Sequence, residues 1–155
     1  MSNAPNIIRR FHAGEANAFA EIIEQYKDDV YTLCLRMLGQ TRAENAAENI
    51  FLEAHQAMHR LHPDTDVNHW ILTRAVDYTM DATTAVLQDD SPPPTAISQR
   101  ILNELEPNFR VAVVLRDVLR LSEETIAIIL NLPLGTAKSR IHRGRLTLGR
   151  NFSPH

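Results

Sequence analysis

The sequence predicts an all-α protein made of two small helical domains. Apolar residues recur at helical spacing along most of the 155 residues, and no segment shows the alternation of a β-strand. Residues 88–96 are acidic and rich in proline, and they contain no large apolar side chain, which is typical of a short linker. We therefore assign residues 1–87 to a first domain and residues 97–155 to a second domain that contains a helix-turn-helix.

The two parts of the chain differ in charge. Residues 1–90 carry 7 Lys or Arg against 14 Asp or Glu, whereas residues 91–155 carry 9 against 5. The net charges are thus −7 and +4, although the whole chain has a net charge of only −3. This asymmetry predicts two modules with different partners.

Three helices are predicted in the first domain. The first ends at Gly39, a residue suited to ending a helix. The second is expected to open with a capping box at residues 41–44 and to end at His62 and Pro63. The third begins near Val67. The residues expected on the buried faces are Phe19, Ile22, Ile23, Tyr26, Val30, Leu33, Cys34, Met37 and Leu38, then Ala47, Ile50, Phe51, Ala54, Met58 and Leu61, then Trp70, Ile71, Ala75 and Tyr78.

The second domain begins at Ile97, and its next helix follows Pro107. That helix is expected to bury its apolar side chains before the helix-turn-helix begins. The side chains expected to be buried are Phe109, Val113, Val114 and Val118.

The helix-turn-helix is predicted from Ser122 to Arg150. Ser122 is a good N-cap, and the two glutamates after it meet the positive end of the helix dipole. Residues 131–135 break this helix, and Pro133 suits the first position of the next one. The side of the last helix that packs on its partner is expected to contain Ala137, Ile141, Gly144 and Leu148.

The outer side of the last helix carries hydroxyls and cations, and no acidic residue follows Glu124. A helix divided in this way packs on its partner and offers its polar side to a DNA groove. The alternative is a solvated basic helix at the end of the chain. For base-edge or close-backbone contacts we select Thr136, Ser139 and Arg140, and for phosphate contacts Lys138, Arg143 and Arg145.

Other kinds of site are not indicated. His55, His59 and His62 lie on one flank of the second helix, and imidazoles one turn apart can share a metal ion. Because no cysteine joins them, we expect a solvated polar flank and no metal. The sequence shows no catalytic triad, phosphate-binding glycine loop or carboxylate pair, so neither an enzyme nor a cofactor is expected. Cys34 is expected to be a core thiol, and without an apolar span or leader the protein is expected to be cytoplasmic.

Two segments resemble a known family. Residues 132–145 read L-P-L-G-T-A-K-S-R-I-H-R-G-R, similar to the motif P-x-G-T-V-K-S-R-x-x-R-A-R in the −35-reading domain of the extracytoplasmic-function sigma factors. Ala137 and Gly144 are the changes within that motif. Residues 43–51 resemble the polymerase-binding helix of the family, A-E-D-x-x-Q-E-V-F, and Trp70 begins the helix that corresponds to its −10 helix.

The resemblance implies core RNA polymerase and promoter DNA as partners, often together with an anti-sigma factor. It also implies that polymerase docks on the outward surface of the second helix. Leu52 is expected to be exposed there among polar groups, as an interface anchor is; a stray exposed leucine is the alternative. The residues of this surface are Asn45, Glu48, Asn49, Leu52 and Gln56.

The −10 helix departs from the family pattern. That pattern expects asparagine, aspartate and arginine where this chain has Asp77, Asp81 and Thr84, so only Asp81 agrees. Arg74 is the sole cation between residues 67 and 87. Because a melted strand is bound by cations and stacking faces, the resemblance predicts weak promoter opening.

Three functions remain open at this point. The favoured one is an alternative sigma factor that reads the −35 element through residues 133–150. The second is a sigma-like decoy or anti-sigma-binding mimic, which the acidic first domain and the changed −10 residues favour. The third is a plain helix-turn-helix repressor, in which the first domain has no role unless it dimerises.

Overall fold

A computed structural model of the protein describes residues 4–65, 67–86 and 104–152. In these ranges the chain is helical without any β-strand, which confirms the predicted all-α class. The helices are α1 (Ala4–His12), α2 (Ala16–Leu38), α3 (Gln40–Met58), α4 (Val67–Val86), α5 (Pro107–Val113), α6 (Glu123–Leu130) and α7 (Leu134–Phe152), with a π-helical turn at Val114–Val118 after α5.

Helix α2 is the centre of the first group of helices, because it packs against α1, α3 and α4. Its predicted apolar stripe is confirmed: Ile22, Val30 and Leu33 are buried, and Cys34 is fully buried. At its end the φ angle of Gly39 is +91°, and the Gly39 N–H donates to the Leu35 carbonyl at 2.9 Å.

The capping box predicted at the start of α3 is wrong. The helix begins at Gln40, directly after Gly39, and no side chain caps its N-terminus. Because α2 and α3 share Gly39 as their junction, Thr41 already lies inside the helix and is not in the capping position. The helix ends at Met58, earlier than the His62 and Pro63 end that the sequence predicted.

Helix α1 was not predicted. It has nine residues, of which Ile7 and Ile8 are buried against the other helices. An exposed ion pair of 3.0 Å joins Arg9 to Asp64 in the turn after α3. A helix this short depends on tertiary packing, which local sequence patterns do not show.

The buried faces of α3 and α4 agree with the predictions in their main residues. Ile50, Ala54 and Met58 are buried on α3, and Ile71 and Ala75 are buried on α4. Trp70 and Tyr78 pack against the core but are only half-buried, so their predicted place in the core is confirmed in part. The other half-buried residues of the predicted faces are Phe19, Ile23, Leu38, Ala47, Phe51 and Leu61.

The π-helical turn changes which residues are buried after α5. The Leu119 N–H donates to the Val114 carbonyl five residues earlier, so this turn is wider than an α-helical one. Leu115 is fully buried, whereas Val118 is 37% exposed, and the prediction that Val118 is buried is therefore wrong. Val113 and Val114 are buried as predicted, and Phe109 is half-buried.

The core continues from the first four helices into the last three. Helix α4 packs against α6, and α5 contacts both α2 and α4. The predicted linker at residues 88–96 and the predicted domain start at Ile97 lie outside the described residues. Among the described residues, no helix is both long enough and apolar enough to cross a membrane.

Candidate nucleic-acid interface

The predicted helix-turn-helix is present. Ser122 caps α6, since its hydroxyl oxygen accepts a hydrogen bond from the Thr125 N–H at 3.1 Å. Asn131 ends α6 in the left-handed conformation, with φ of +54°. The Pro133 carbonyl accepts the first backbone hydrogen bond of α7, from Ala137 at 3.0 Å. Pro133 thus immediately precedes α7, one position before the predicted one.

The inner side of α7 packs closely on α5. Ala137 and Ile141 are buried, as the sequence predicted. At Gly144 the approach is so close that a Cβ atom would lie 2.4 Å from Val113 Cγ2 and 3.2 Å from the Phe109 carbonyl oxygen. The packing of α7 on α5 therefore fixes which side of α7 faces outward.

The outer side of α7 presents the residues that the sequence selected for DNA contacts. Thr136, Lys138, Ser139 and Arg143 are exposed, and Arg140 is half-buried. Within the part of the chain that the structure describes, none of these three cations forms an ion pair. Their charges are therefore available to an anionic ligand in solution.

Arg145 differs from these cations because it is paired with an acidic residue. Its Nε donates to Asp117 Oδ2 at 3.0 Å, and its Nη2 donates to the other carboxylate oxygen. These hydrogen bonds raise the pKa of Arg145 above its ordinary value. Asp117 lies in the π-helical turn, so the ion pair directs Arg145 toward α5, and a phosphate would have to compete with this carboxylate.

The predicted docking surface on α3 is also exposed. Leu52 is 64% exposed, and Asn45, Glu48 and Gln56 around it are exposed as well. Asn49 is half-buried, and its Nδ2 donates to the Tyr78 hydroxyl at 2.9 Å. The surface is therefore an exposed leucine among polar side chains, with Asn49 attached to α4.

An open cleft of about 540 Å³ lies between α3 and α4, next to this surface. Arg74, at one wall, is 5.4 Å from the centre of the Trp70 ring, a cation–π contact. The cleft holds three carboxylates and one guanidinium, so its charge is negative. Its lining residues are Glu53, Arg74, Asp77, Tyr78, Asp81 and Ala82.

The sequence predictions did not include Glu53 among the functional residues. Helical phase places Glu53 on the same side of α3 as Asn49, and this was the signal that could have identified it. Thr84 lies in α4, and its side chain is outside the described residues.

The histidines of α3 belong to a cluster of rings. His55 and His59 have ring centres 5.6 Å apart, and Phe11 of α1 lies 5.4 Å and 4.8 Å from them. His62 instead accepts a hydrogen bond from the Asp64 N–H at 3.1 Å. Among the described residues, no three metal-binding side chains are placed to hold an ion. The expected solvated flank is therefore partly covered by α1.

Both the sequence and the fold of this chain are similar to those of known proteins. The C-terminal residues 97–148 match the family model described as sigma-70, region 4. The chain is 32% identical to the ECF RNA polymerase sigma factor SigW of Bacillus subtilis over 91% of this chain and 92% of that protein. Among solved structures, CnrH in complex with the cytosolic domain of CnrY has a TM-score of 0.79 at 17% identity and 97% coverage of each chain. The sigma factor RpoE of Bartonella quintana, in complex with the anti-sigma factor NepR, has a TM-score of 0.68 at 18% identity, covering 87% of this chain and 96% of its own.

Proposed function

This chain belongs to the ECF RNA polymerase sigma factors, and from that premise we propose that it directs core polymerase to promoters whose −35 element α7 reads. The observation that carries the proposal is the outer side of α7. It offers exposed cations and hydroxyls on a helix whose orientation is fixed by a capped helix-turn-helix. A helix of this kind enters the major groove while its partner helix crosses the phosphate backbone.

The roles on α7 follow from exposure and charge. Thr136, Ser139 and Arg140 are proposed to reach base edges or the nearby backbone, because hydroxyls and guanidinium groups pair with the acceptors of the groove. Lys138 and Arg143 are proposed to contact phosphates. Arg145 was selected for the same role, but its pairing with Asp117 favours a smaller contribution.

Polymerase docking is proposed on α3. Leu52 is the anchor, because an apolar side chain exposed to 64% among polar neighbours gains from burial at an interface. The polar residues around it provide a hydrophilic rim, which is the usual anatomy of such contacts. These rim residues are Asn45, Glu48, Asn49 and Gln56.

The two domains predicted from the sequence are proposed to have separate binding functions. Residues 1–87 form the polymerase-binding and −10 domain, and residues 97–155 form the −35 domain. The cleft beside Tyr78 is where a melted strand would meet α4. Its carboxylates repel phosphate, so we propose that opening of the −10 region is inefficient.

An anti-sigma factor is a further proposed partner. The solved structures of CnrH and of the B. quintana sigma factor RpoE were both determined as complexes, the latter with the anti-sigma factor NepR. On this proposal the protein works in the cytoplasm, where the transcription machinery is, and it contributes recognition whereas polymerase performs the catalysis.

The test is run-off transcription with purified core polymerase and a promoter library. A working sigma factor is expected to give promoter-dependent transcripts. The second candidate, a decoy that binds polymerase or an anti-sigma factor without initiating, is favoured by the acidic cleft at Glu53, Asp77 and Asp81. It predicts binding without any transcript, even from a template that is already melted.

A further inference from the structure

The short segment between the π-helical turn and α6 contains an arginine in a strained backbone conformation. Arg120 has a φ angle of +61°, which lies in the left-handed region. The next N–H, that of Leu121, donates to the Leu115 carbonyl at 3.0 Å, so the chain has to turn at Arg120. Glycine, and less often asparagine, usually occupies this position after a helix end. An arginine here therefore costs conformational energy that a glycine would not.

The packing of the protein gives no reason for an arginine at this position. Its side chain is exposed, and it forms no hydrogen bond or ion pair with any residue that the structure describes. The two preceding arginines differ, because Arg110 donates to the Met37 carbonyl and Arg116 donates to the Leu121 carbonyl. Strained residues are concentrated at functional sites. The strain at Arg120 therefore points to a role outside the fold itself.

The segment that contains Arg120 lies beside one flank of α7. Asp117, three residues before it, accepts hydrogen bonds from Arg145 on both carboxylate oxygens. The pKa of Arg145 is raised chiefly by this hydrogen bond and also by the charge of Glu123, three residues after Arg120. Because acids on both sides of Arg120 act on the same guanidinium, the segment between them is close to it. Lys138 precedes Arg145 by two helical turns and is therefore on the same flank of α7.

This flank of α7 has few cations available for a phosphate. Lys138 is exposed, but Arg145 is already paired with a carboxylate. The N-terminus of α6 is not an anion site either, since the Ser122 hydroxyl caps it and two glutamates follow. In a helix-turn-helix the first helix crosses the phosphate backbone. Arg120 is the exposed cation directly before that helix.

We propose that Arg120 is a phosphate-binding residue for duplex DNA, held in the left-handed conformation so that its guanidinium faces the strand that α6 crosses. This inference rests on the proposed promoter reading and adds a contact to it. A guanidinium binds phosphate oxygens with charge-assisted hydrogen bonds, and it can engage two oxygens at once. Such a contact positions the protein on the duplex and does not depend on the base sequence.

The experiment measures binding of the full-length protein to a short duplex of random sequence at several salt concentrations. Arg120→Gly is expected to flatten the log–log salt dependence by about 0.9, the value for one phosphate, and to weaken binding on the order of 5- to 10-fold near 0.1 M salt. The same variant is expected to raise the Tm by about 2–4 °C, because glycine relieves the strain. A purely structural role of Arg120 does not combine higher stability with weaker binding.

Two further variants separate the position from the charge. Arg120→Lys keeps a cation and is expected to retain the wild-type salt slope, although lysine loses the planar fork of donors and part of the affinity. Arg60→Gln is the matched control for total charge, since Arg60 is an exposed arginine in the turn after α3. Its salt slope is expected to equal that of wild type. An Arg60→Gln variant that flattens the slope as much as Arg120→Gly would overturn the proposal.

The remaining outcomes distinguish this inference from the proposed promoter reading. If Arg120→Gly binds as wild type does while Arg143→Ala flattens the slope, the role of Arg120 is overturned and reading by α7 stands. A lysine variant that loses as much slope as the glycine variant would also overturn it, because a phosphate contact requires the charge. A lower Tm for Arg120→Gly would overturn the strain argument. Wild-type protein without salt-dependent binding would contradict both the inference and the promoter reading.

Discussion

At the scale of single residues, Gly144 is the most constrained position of α7. Ala at this position is expected to lower the free energy of unfolding by about 1–3 kcal/mol, the usual cost of overpacking. The added Cβ would overlap Val113, whose branched side chain is stiff, and would press on the Phe109 carbonyl. This cost exceeds the gain of up to about 1 kcal/mol that alanine brings to a helix. Thermal and urea unfolding of the full chain measure it.

Gly149→Ala is the matched control. It lies on the same helix with no atom within 4 Å of an added Cβ, so only the gain in helix propensity remains. If Gly144→Ala stabilises the protein as much as this control does, α5 and α7 are farther apart than the structure shows.

Charge and hydrogen bonding divide the arginines of α7 into three roles. Arg143→Ala is expected to weaken binding to all duplexes and to flatten the log–log salt dependence by about 0.9. Arg140→Ala is expected to cost on the order of 1–3 kcal/mol on the preferred site and less on random DNA. Titrations of the full-length protein at several salt concentrations separate the two effects.

Arg145→Ala is the internal comparison for these two. Since Asp117 already neutralises this guanidinium, a smaller change in salt slope is expected than for Arg143→Ala. Equal losses on preferred and random DNA for Arg140→Ala would contradict its assignment to a base edge.

The buried thiol of Cys34 gives a pH-dependent prediction. Burial raises the pKa of Cys34 to about 12, whereas an unfolded cysteine ionises near pH ~8.5. The thiol therefore has no effect on stability below about pH 8.5, and stability falls as the pH rises from there toward 12, because only the unfolded chain loses the proton. Urea unfolding across pH 7–10 measures this trend. If the Cys34→Ala variant shows the same decrease of stability with rising pH, another titrating group is responsible for it.

At the scale of secondary-structure elements, the outward side of α3 is the surface to test. Leu52→Asp is expected to weaken association with core polymerase by at least 30-fold, corresponding to the roughly 2 kcal/mol of an interface hot spot. The free energy of unfolding is expected to change little, since Leu52 is mostly exposed. Pull-down and thermal melting of the same preparation give both results.

Phe51→Ala provides the contrast on the neighbouring position. Phe51 is half-buried against the core, so its truncation is expected to cost stability at or below about 3 kcal/mol. If Leu52→Asp binds polymerase normally while the protein stays folded, docking takes place on another surface.

The elements show where sequence reasoning succeeds. The cap at Ser122, the buried side of α7 and the exposure of Leu52 follow from helical period and cap chemistry, which are local properties. The end of α2 at Gly39 follows from the same kind of signal. The predicted capping box failed because Gly39 ends one helix and begins the next, and the prediction for Val118 failed because a π-helical turn changes the phase. No local residue pattern indicated the direct junction of α2 and α3 or the π-helical turn.

At the scale of the whole molecule, the unpredicted features are contacts between distant segments. Charge counting assigned Arg110 and Arg145 to the basic half without distinction, yet Arg110 is buried between two helical units and Arg145 is paired with Asp117. The acidic cleft likewise combines Glu53 of α3 with two aspartates of α4. These arrangements depend on how helices pack, and a single sequence shows only which residues are available for them.

The charge of the cleft between α3 and α4, which depends on how these helices pack, is expected to determine how efficiently this protein opens promoters. The cleft offers a melted strand the ring of Tyr78 and the cation of Arg74, but Asp77 and Asp81 oppose the phosphates. We expect the wild-type holoenzyme to transcribe poorly from intact duplex and better from a pre-melted template. The double substitution Asp77→Asn and Thr84→Arg removes one repulsion and adds a cation. It is therefore expected to raise run-off product from duplex while changing the pre-melted reaction little.

Glu53→Gln is a useful comparison, because it removes a cleft carboxylate that belongs to α3. If negative charge in the cleft is what limits opening, this change also raises product from duplex, by less than the double substitution. Strong wild-type transcription from intact duplex would contradict the weak-opening proposal. The absence of product from both wild-type templates, with polymerase binding retained, would instead favour the decoy, since an already open strand removes the melting step and leaves initiation as the step that fails.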